Sequence, residues 1–180
     1  MDDTLVEADT VSGKTLYKIL GFSGVGRWTP TKYTADSITL SAGSSSDGVA
    51  DLQSGNDGNV YTIQEAAATP GITLIVDFES VTAFNWVKIL ALYDEGAAAT
   101  HAMTIELYNW DTTSWDQFCA LQNGISNSGT IFDGHDFFVP DDTNYIGTGG
   151  DVGNVRVRFN HPQNGNASHY LYIDEVALYQ

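Results

Sequence analysis

The chain is 180 residues long, which suits one domain or one domain with an arm, and 42% of its residues are apolar, so it can bury a sizeable core. Seven Lys plus Arg against 23 Asp plus Glu give a formal charge of -16, which excludes the basic stripe a nucleic-acid backbone requires and disfavours an anionic membrane. No apolar run approaches the roughly 18 residues of a membrane span, and the amino terminus M-D-D-T-L-V-E is acidic where a secretory signal is basic and then apolar.

Eighteen Gly and nine Tyr, with many Thr and Val, describe short β-strands joined by tight turns. The single Cys119 has no partner for an intramolecular disulfide, and in the phrase F-C-A-L it reads as a buried small hydrophobe. Charge is uneven: Thr10 to Ala35 holds four basic residues and no acid, and the remainder holds three basic and 23 acidic residues, which is +4 against -20. Either this is the unevenness of a short segment, or residues 1–36 are an N-terminal arm that lies on an acidic surface, its own body or a neighbouring copy. L-Y-K-I-L-G-F is one strand candidate in it, followed by the Gly- and Pro-punctuated ribbon S-G-V-G-R-W-T-P-T-K-Y-T. Lys14, Lys18, Arg27, Trp28, Lys32 and Tyr33 are its candidate partner-binding residues.

Ser37 to Ser41 begins a series of regular strands in a domain spanning residues 37–180. A-G-S-S-S-D-G links it to V-A-D-L-Q, and the D-G pair of S-G-N-D-G favours positive φ and so a hairpin. Asn59 to Ala66 reads as a strand that A-A-T-P-G ends. Ile72, Leu74, Val76 and Phe78 share one face of the next, with Ile75 alone breaking the alternation. Phe84 to Tyr93 is apolar on both parities, as in a central strand covered on two sides or a buried helix; the β-rich surroundings favour the strand. Met103 to Trp110 and W-D-Q-F-C-A-L form a hairpin around D-T-T-S. After the loop Q-N-G-I-S-N-S-G and the segment I-F-D-G-H-D-F-F-V-P, Val155, Val157 and Phe159 point inward and Arg156 and Arg158 outward. In the last run, Ser168 to Tyr179, Leu171 and Ile173 share one parity and Val176 and Leu178 the other, which predicts a bulge at Asp174 and Glu175. About eight to ten strands with turn signals every 8–12 residues give an all-β, two-sheet antiparallel sandwich.

Catalytic chemistry finds no support. Asp94 with Glu95, Asp141 with Asp142, and Asp174 with Glu175 are adjacent pairs, and neighbours on a strand point to opposite faces, whereas glycoside hydrolysis needs two carboxylates across one bond. His101, His135, His161 and His169 lack zinc-ligand spacing; His101 and His169 each begin a strand, where stacking or hydrogen bonding across the sheet is the expected role. No G-x-S-x-G phrase occurs, and the glycine clusters lack the helix and Lys-Ser/Thr of a phosphate loop. No cofactor is expected. The one metal candidate is a structural calcium on Asp47, Asp51 and Asp57, set against solvated turn acids. Trp110 and Trp115 flank a short hairpin loop with Tyr108 near them, either as a rim that stacks on a sugar ring or as plugs at the sandwich end.

The series D-L-Q-S-G-N-D-G-N-V-Y at Asp51 to Tyr61 and T-P-G-I-T-L-I-V-D-F at Thr69 to Phe78 resembles jelly-roll virion proteins of tailed bacteriophages. So do F-N-W-V-K-I from Phe84, T-H-A-M-T-I-E-L-Y-N-W-D-T-T-S-W-D from Thr100, and the closing G-N-A-S-H-Y-L-Y-I-D-E-V-A-L. The I-D-E-V ending also looks like the last strand of galactose-binding-like sandwiches, a fold shared by carbohydrate-binding modules and structural proteins. The resemblance implies a two-sheet antiparallel jelly-roll β-sandwich with an extended N-terminal arm. It implies a non-enzymatic virion structural protein, made in the host cytoplasm, that decorates the head. Its partners would be the major capsid protein or another virion protein and further copies of itself. The alternative is a carbohydrate-binding module or receptor-binding tail or fibre component, with Tyr108, Trp110 and Trp115 on the glycan.

Overall fold

In the computed structural model the described residues are 6–11, 14–19, 30–94, 101–122 and 133–180. They form two units, Met1–Pro30 and Thr31–Gln180. The first holds β1 (Val6–Val11) and β2 (Lys14–Ile19), an antiparallel pair running from Val6 opposite Ile19 to Val11 opposite Lys14. L-Y-K-I is thus the core of β2. Arg27 and Trp28 lie outside the described residues.

The second unit contains β3 (Lys32–Thr34), β4 (Ser37–Ala42), β5 (Tyr61–Gln64), β6 (Ile72–Phe78), β7 (Trp86–Asp94) and β8 (Ala102–Asn109). It continues with β9 (Ser114–Gln122), β10 (Asp133–Phe138), β11 (Val155–His161) and β12 (Tyr170–Tyr179). These make an all-β, two-sheet antiparallel jelly-roll sandwich, with one sheet ordered β10-β7-β12-β3, β5 also pairing with β12, and the other β4-β6-β11-β8-β9. The core lies between them. Ile72, Leu74, Val76 and Phe78 of β6, with Val155, Val157 and Phe159 of β11, face Ile89 and Tyr93 of β7 and Leu171, Ile173, Val176 and Leu178 of β12. Each such side chain contributes roughly 1.5–3 kcal/mol by leaving water.

Two expectations change. The domain begins at Thr31 and not at residue 37, because β3 pairs with β12 and its Tyr33 packs against the core, donating to or accepting from Thr82 Oγ1 at 3.0 Å. Lys32 and Tyr33 therefore belong to the sandwich. V-A-D-L is a 3₁₀ turn (Val49–Leu52), so the D-G signal makes no hairpin there: Gly58 has the expected positive φ of 91°, but the turn leads from a cap over the sheet into β5. The run from Phe84 resolves as strand from Trp86 to Asp94 and not as helix, and the loop at residues 123–130 lies outside the described residues.

The predicted bulge is present. Ile173 pairs with Ala91 and Glu175 with Leu90, leaving Asp174 as the extra residue. Without it Val176 and Leu178 would face away from the core; with it Leu171, Ile173, Val176 and Leu178 are all buried. Asp174 accepts from the Asn56 backbone N–H at 2.8 Å, and Glu175, its side chain 3% exposed, lies 2.6 Å from both Lys32 Nζ and Lys88 Nζ. Gly55 crosses directly above: a Cβ there would meet Leu90 Cδ1 at 2.7 Å and Glu175 Oε2 at 2.8 Å.

Burial alone would raise the Glu175 carboxyl, but hydrogen bonds and charge from Lys32 and Lys88 outweigh it and hold the group below its ordinary value. A carboxyl with a depressed folded value contributes stability that is present above its unfolded value, about 4.3, and is lost as pH falls through the folded one. Glu175→Gln is expected to be less stable than the parent near neutrality, with the gap closing in acid, as measured by denaturant unfolding from about pH 7 to pH 3. A gap independent of pH would contradict this account.

Candidate functional site

Inward Met103, Ile105 and Leu107 force Thr104, Glu106 and Tyr108 of β8 onto the outer face of their sheet, and the same alternation places Arg156 and Arg158 of β11 there. Register then decides contact. Tyr108 stands opposite Trp115 of β9, Arg158 opposite Glu106, and Arg156 opposite Asp77 of β6. The Tyr108 ring lies 5.1 Å from Trp115 and 4.9 Å from Trp110, both edge to face. The Arg156 guanidinium sits 4.8 Å from the Trp110 ring and 5.7 Å from Tyr108, and that of Arg158 sits 4.2 Å from Trp115.

The turn that carries Trp110 is fixed locally. Asn109 Oδ1 accepts from the backbone N–H groups of Asp111 and Thr112 at 3.1 Å, while Asn109 Nδ2 and the Tyr145 hydroxyl donate to Asp116 Oδ2. Asp77 holds Arg156 at 3.0 Å and Glu106 pairs with Arg158. All three predicted aromatics are brought together, half-buried on the outer face and outside the core, so neither tryptophan plugs the sandwich. The two arginines complete the platform. Alternation showed their direction, but only the β8–β11 register shows that they lie over the rings.

The other candidate residues are dispersed. Asp47 accepts from the Thr62 N–H, Asp51 from Gly48 and Asp57 from Asn59, each at 2.8 Å, and among the described residues no group of three His, Cys, Asp or Glu is placed to hold a metal ion. Asp141 and Asp142 serve separate turns, accepting from the Thr143 hydroxyl and the Phe84 N–H. Burial pushes the Cys119 thiol up to about 11, which leaves little nucleophilic thiolate at neutral pH. Lys14 and Lys18 lie on β2, opposite Val11 and Glu7.

A polar cluster that spacing did not reveal lies at the β5, β7 and β11 strand ends. The buried Glu65 carboxylate accepts from the Tyr93 hydroxyl at 2.5 Å and the Asn166 N–H at 2.8 Å, and lies 2.7 Å from His161 Nδ1. His169 Nδ1 is 3.2 Å from its other oxygen. The His101 ring stands 4.9 Å from His161, tilted, and 6.1 Å from His169, edge to face, so His101 and His169 meet between the two sheets, since β8 and β12 belong to different ones, and His161 of β11 is the added member. Gly71 and Gly165 permit this closeness: a Cβ on Gly71 would meet His161 Nδ1 at 2.6 Å, and one on Gly165 would meet Glu65 Oε2 at 3.1 Å.

No protein-family model and no curated protein matches the sequence. Among solved structures, a mutant family 29 carbohydrate-binding module complexed with mannohexaose is similar over 84% of this chain and 92% of that one, at 10% identity and a TM-score of 0.49. The family 32 module of C. perfringens NanJ in complex with galactose covers 83% and 100%, at 10% identity and a TM-score of 0.46. Chitosan-binding module 1 of a chitosanase/glucanase from Paenibacillus sp. IK-5 covers 82% and 97%, at 14% identity and 0.47.

Removing the Glu65 carboxylate strands the buried Tyr93 hydroxyl and His161 imidazole and frees the exposed Asn166 N–H. Glu65→Ala is expected to cost about 3–5 kcal/mol in urea unfolding, whereas a loss under about 1 kcal/mol would show the cluster to be energetically neutral.

Proposed function

We propose that this chain is a carbohydrate-binding module that holds a glycan across the outer face of β8, β9 and β11. The observation that carries this reading is the edge-to-face cluster of Trp110, Tyr108 and Trp115 on one outer face, with two guanidinium groups over the tryptophan rings. A sugar offers apolar C–H surface and a set of hydroxyls. Aromatic rings suit the first and guanidinium N–H groups the second. Asp77 and Glu106 fix both arginines in advance, so little side-chain freedom is lost on binding. The role is one of binding, with Tyr108 as the central contact of the cluster.

Calorimetric titration with soluble neutral and acidic oligosaccharides tests this. Trp115→Ala and Trp110→Ala are each expected to lower affinity about tenfold, the equivalent of roughly 1.4 kcal/mol. Unchanged affinity in both variants would sink the reading.

A second reading rests on the separate unit Met1–Pro30, whose described part is a two-stranded hairpin carrying Lys14 and Lys18. A two-stranded pair gains little stability from its own contacts, which suits a segment that docks on a partner. On this reading the chain decorates a virion, with the arm seated on the capsid or on another copy. Deleting residues 1–30 is expected to leave a folded sandwich with unchanged glycan affinity and no particle attachment; full occupancy by the truncated chain in a sedimentation assay would exclude it.

A further inference from the structure

The outer face of the other sheet carries a shallow groove of about 380 Å³, within the roughly 300–1,000 Å³ of small-ligand clefts. Thr62 and Gln64 of β5 form its floor, the loop Ser44 to Asp47 one wall, and Tyr170 of β12 the other. Its walls are pinned. Ser44 and Gln64 exchange backbone hydrogen bonds at 2.9 Å in both directions, and Asp47 Oδ2 accepts from the Thr62 N–H at 2.8 Å. Gly43 lets the loop lie this close: its φ is 93°, and a Cβ would meet Ile63 Cγ2 at 2.8 Å.

The groove holds its donors and acceptors ready. Gln64 Nε2 donates to the Ala167 carbonyl at 2.6 Å and to the Tyr170 hydroxyl at 3.2 Å, which fixes the carboxamide and leaves Gln64 Oε1 and the Tyr170 O–H proton for a ligand. The Ser44 hydroxyl likewise takes no partner among the described residues. Beside this polar floor Tyr170 and Tyr172, two apart on β12 and so on one face, stack with ring centroids 6.0 Å apart and planes at 22°. The only charged lining group is the Asp47 carboxylate, with no cation in the lining. An anion is therefore repelled, and hydroxyl groups find both donors and acceptors.

We infer that this groove is a second binding site, independent of the arginine platform, for a neutral polyhydroxylated ligand of the oligosaccharide class. Hydroxyls engage Gln64, Ser44 and Asp47, and a sugar face lies along the Tyr170 and Tyr172 rings. Each platform cation is ion-paired, with Asp77 or Glu106, whereas the groove lining holds the Asp47 carboxylate and no cation, so the two faces differ in the ligand charge they accept.

The test is amide chemical-shift mapping of the full chain titrated with mannohexaose, cellohexaose and an oligogalacturonate, each to about 10 mM, which registers dissociation constants weaker than millimolar. The neutral hexasaccharides are expected to shift the amides of Ser44 to Asp47, Thr62 and Gln64, with or without the Trp115→Ala change, and the oligogalacturonate is not. Gln64→Ala, and Tyr170→Phe as the variant least disturbing to the fold, are expected to weaken the groove response about five- to tenfold. Absence of groove shifts with both neutral probes, unchanged groove affinity in both variants, or equal occupation by the oligogalacturonate overturns the inference. Groove shifts that persist when platform binding is absent would count against the platform alone.

Discussion

One extra residue in the last strand sets the terms for the sandwich. β12 has β7 along one side and β5 and β3 sharing the other, so its register is transmitted to most of its sheet. An unbulged strand would bury either Leu171 and Ile173 or Val176 and Leu178; Asp174, standing out of register, lets both pairs enter the core. The same insertion turns Glu175 outward beneath Gly55, where lysines from two neighbouring strands reach it. Desolvating such a charge is costly, and two ammonium groups at 2.6 Å offset that cost only in this register. The ion triad thus ties β3, β7 and β12 together and specifies how they align.

Acidic side chains gather hydrogen-bond donors at several points of the fold. Glu65 gathers Tyr93, His161 and Asn166 at the strand ends, and Asp116 gathers Asn109 and Tyr145 beneath the Trp110 turn. These acids spend their acceptor capacity on the protein. The outer faces differ: half-buried Arg156 and Arg158 lie over an edge-to-face aromatic cluster, and Gln64 and Tyr170 keep unspent hydrogen-bonding capacity in a groove. A rigid sandwich with two unlike, pre-organised outer surfaces is suited to recognition.

Much of this architecture was legible in the chain. The two-residue alternation of Ile72 to Phe78 and of Val155 to Phe159 is a direct consequence of one face being wet, and the phase change in S-H-Y-L-Y-I-D-E-V-A-L-Y could be resolved only by a bulge. The tryptophan site was legible in part, because a four-residue turn brings its flanks together whatever surrounds it. The D-G signal at Gly58 gave the backbone angle and not the hairpin, since positive φ serves any tight reversal. The start of the domain at Thr31 was missed because β3 is three residues long and gains its place from β12, far away in sequence.

By itself the sequence determined the strand faces, the bulge and the nearness of Tyr108, Trp110 and Trp115, all set by local periodicity and short turns, while the register that sets Tyr108 opposite Trp115 and Trp110 in the turn came from the structure. The tertiary structure alone decided what lies beside what across the sheets: Arg158 over Trp115, His161 against Glu65, Lys32 on Glu175, and Ser44 facing Tyr170. Those contacts join residues whose separation along the chain carries no periodic signal. They depend on strand order and register, which are fixed by the packing of the whole core.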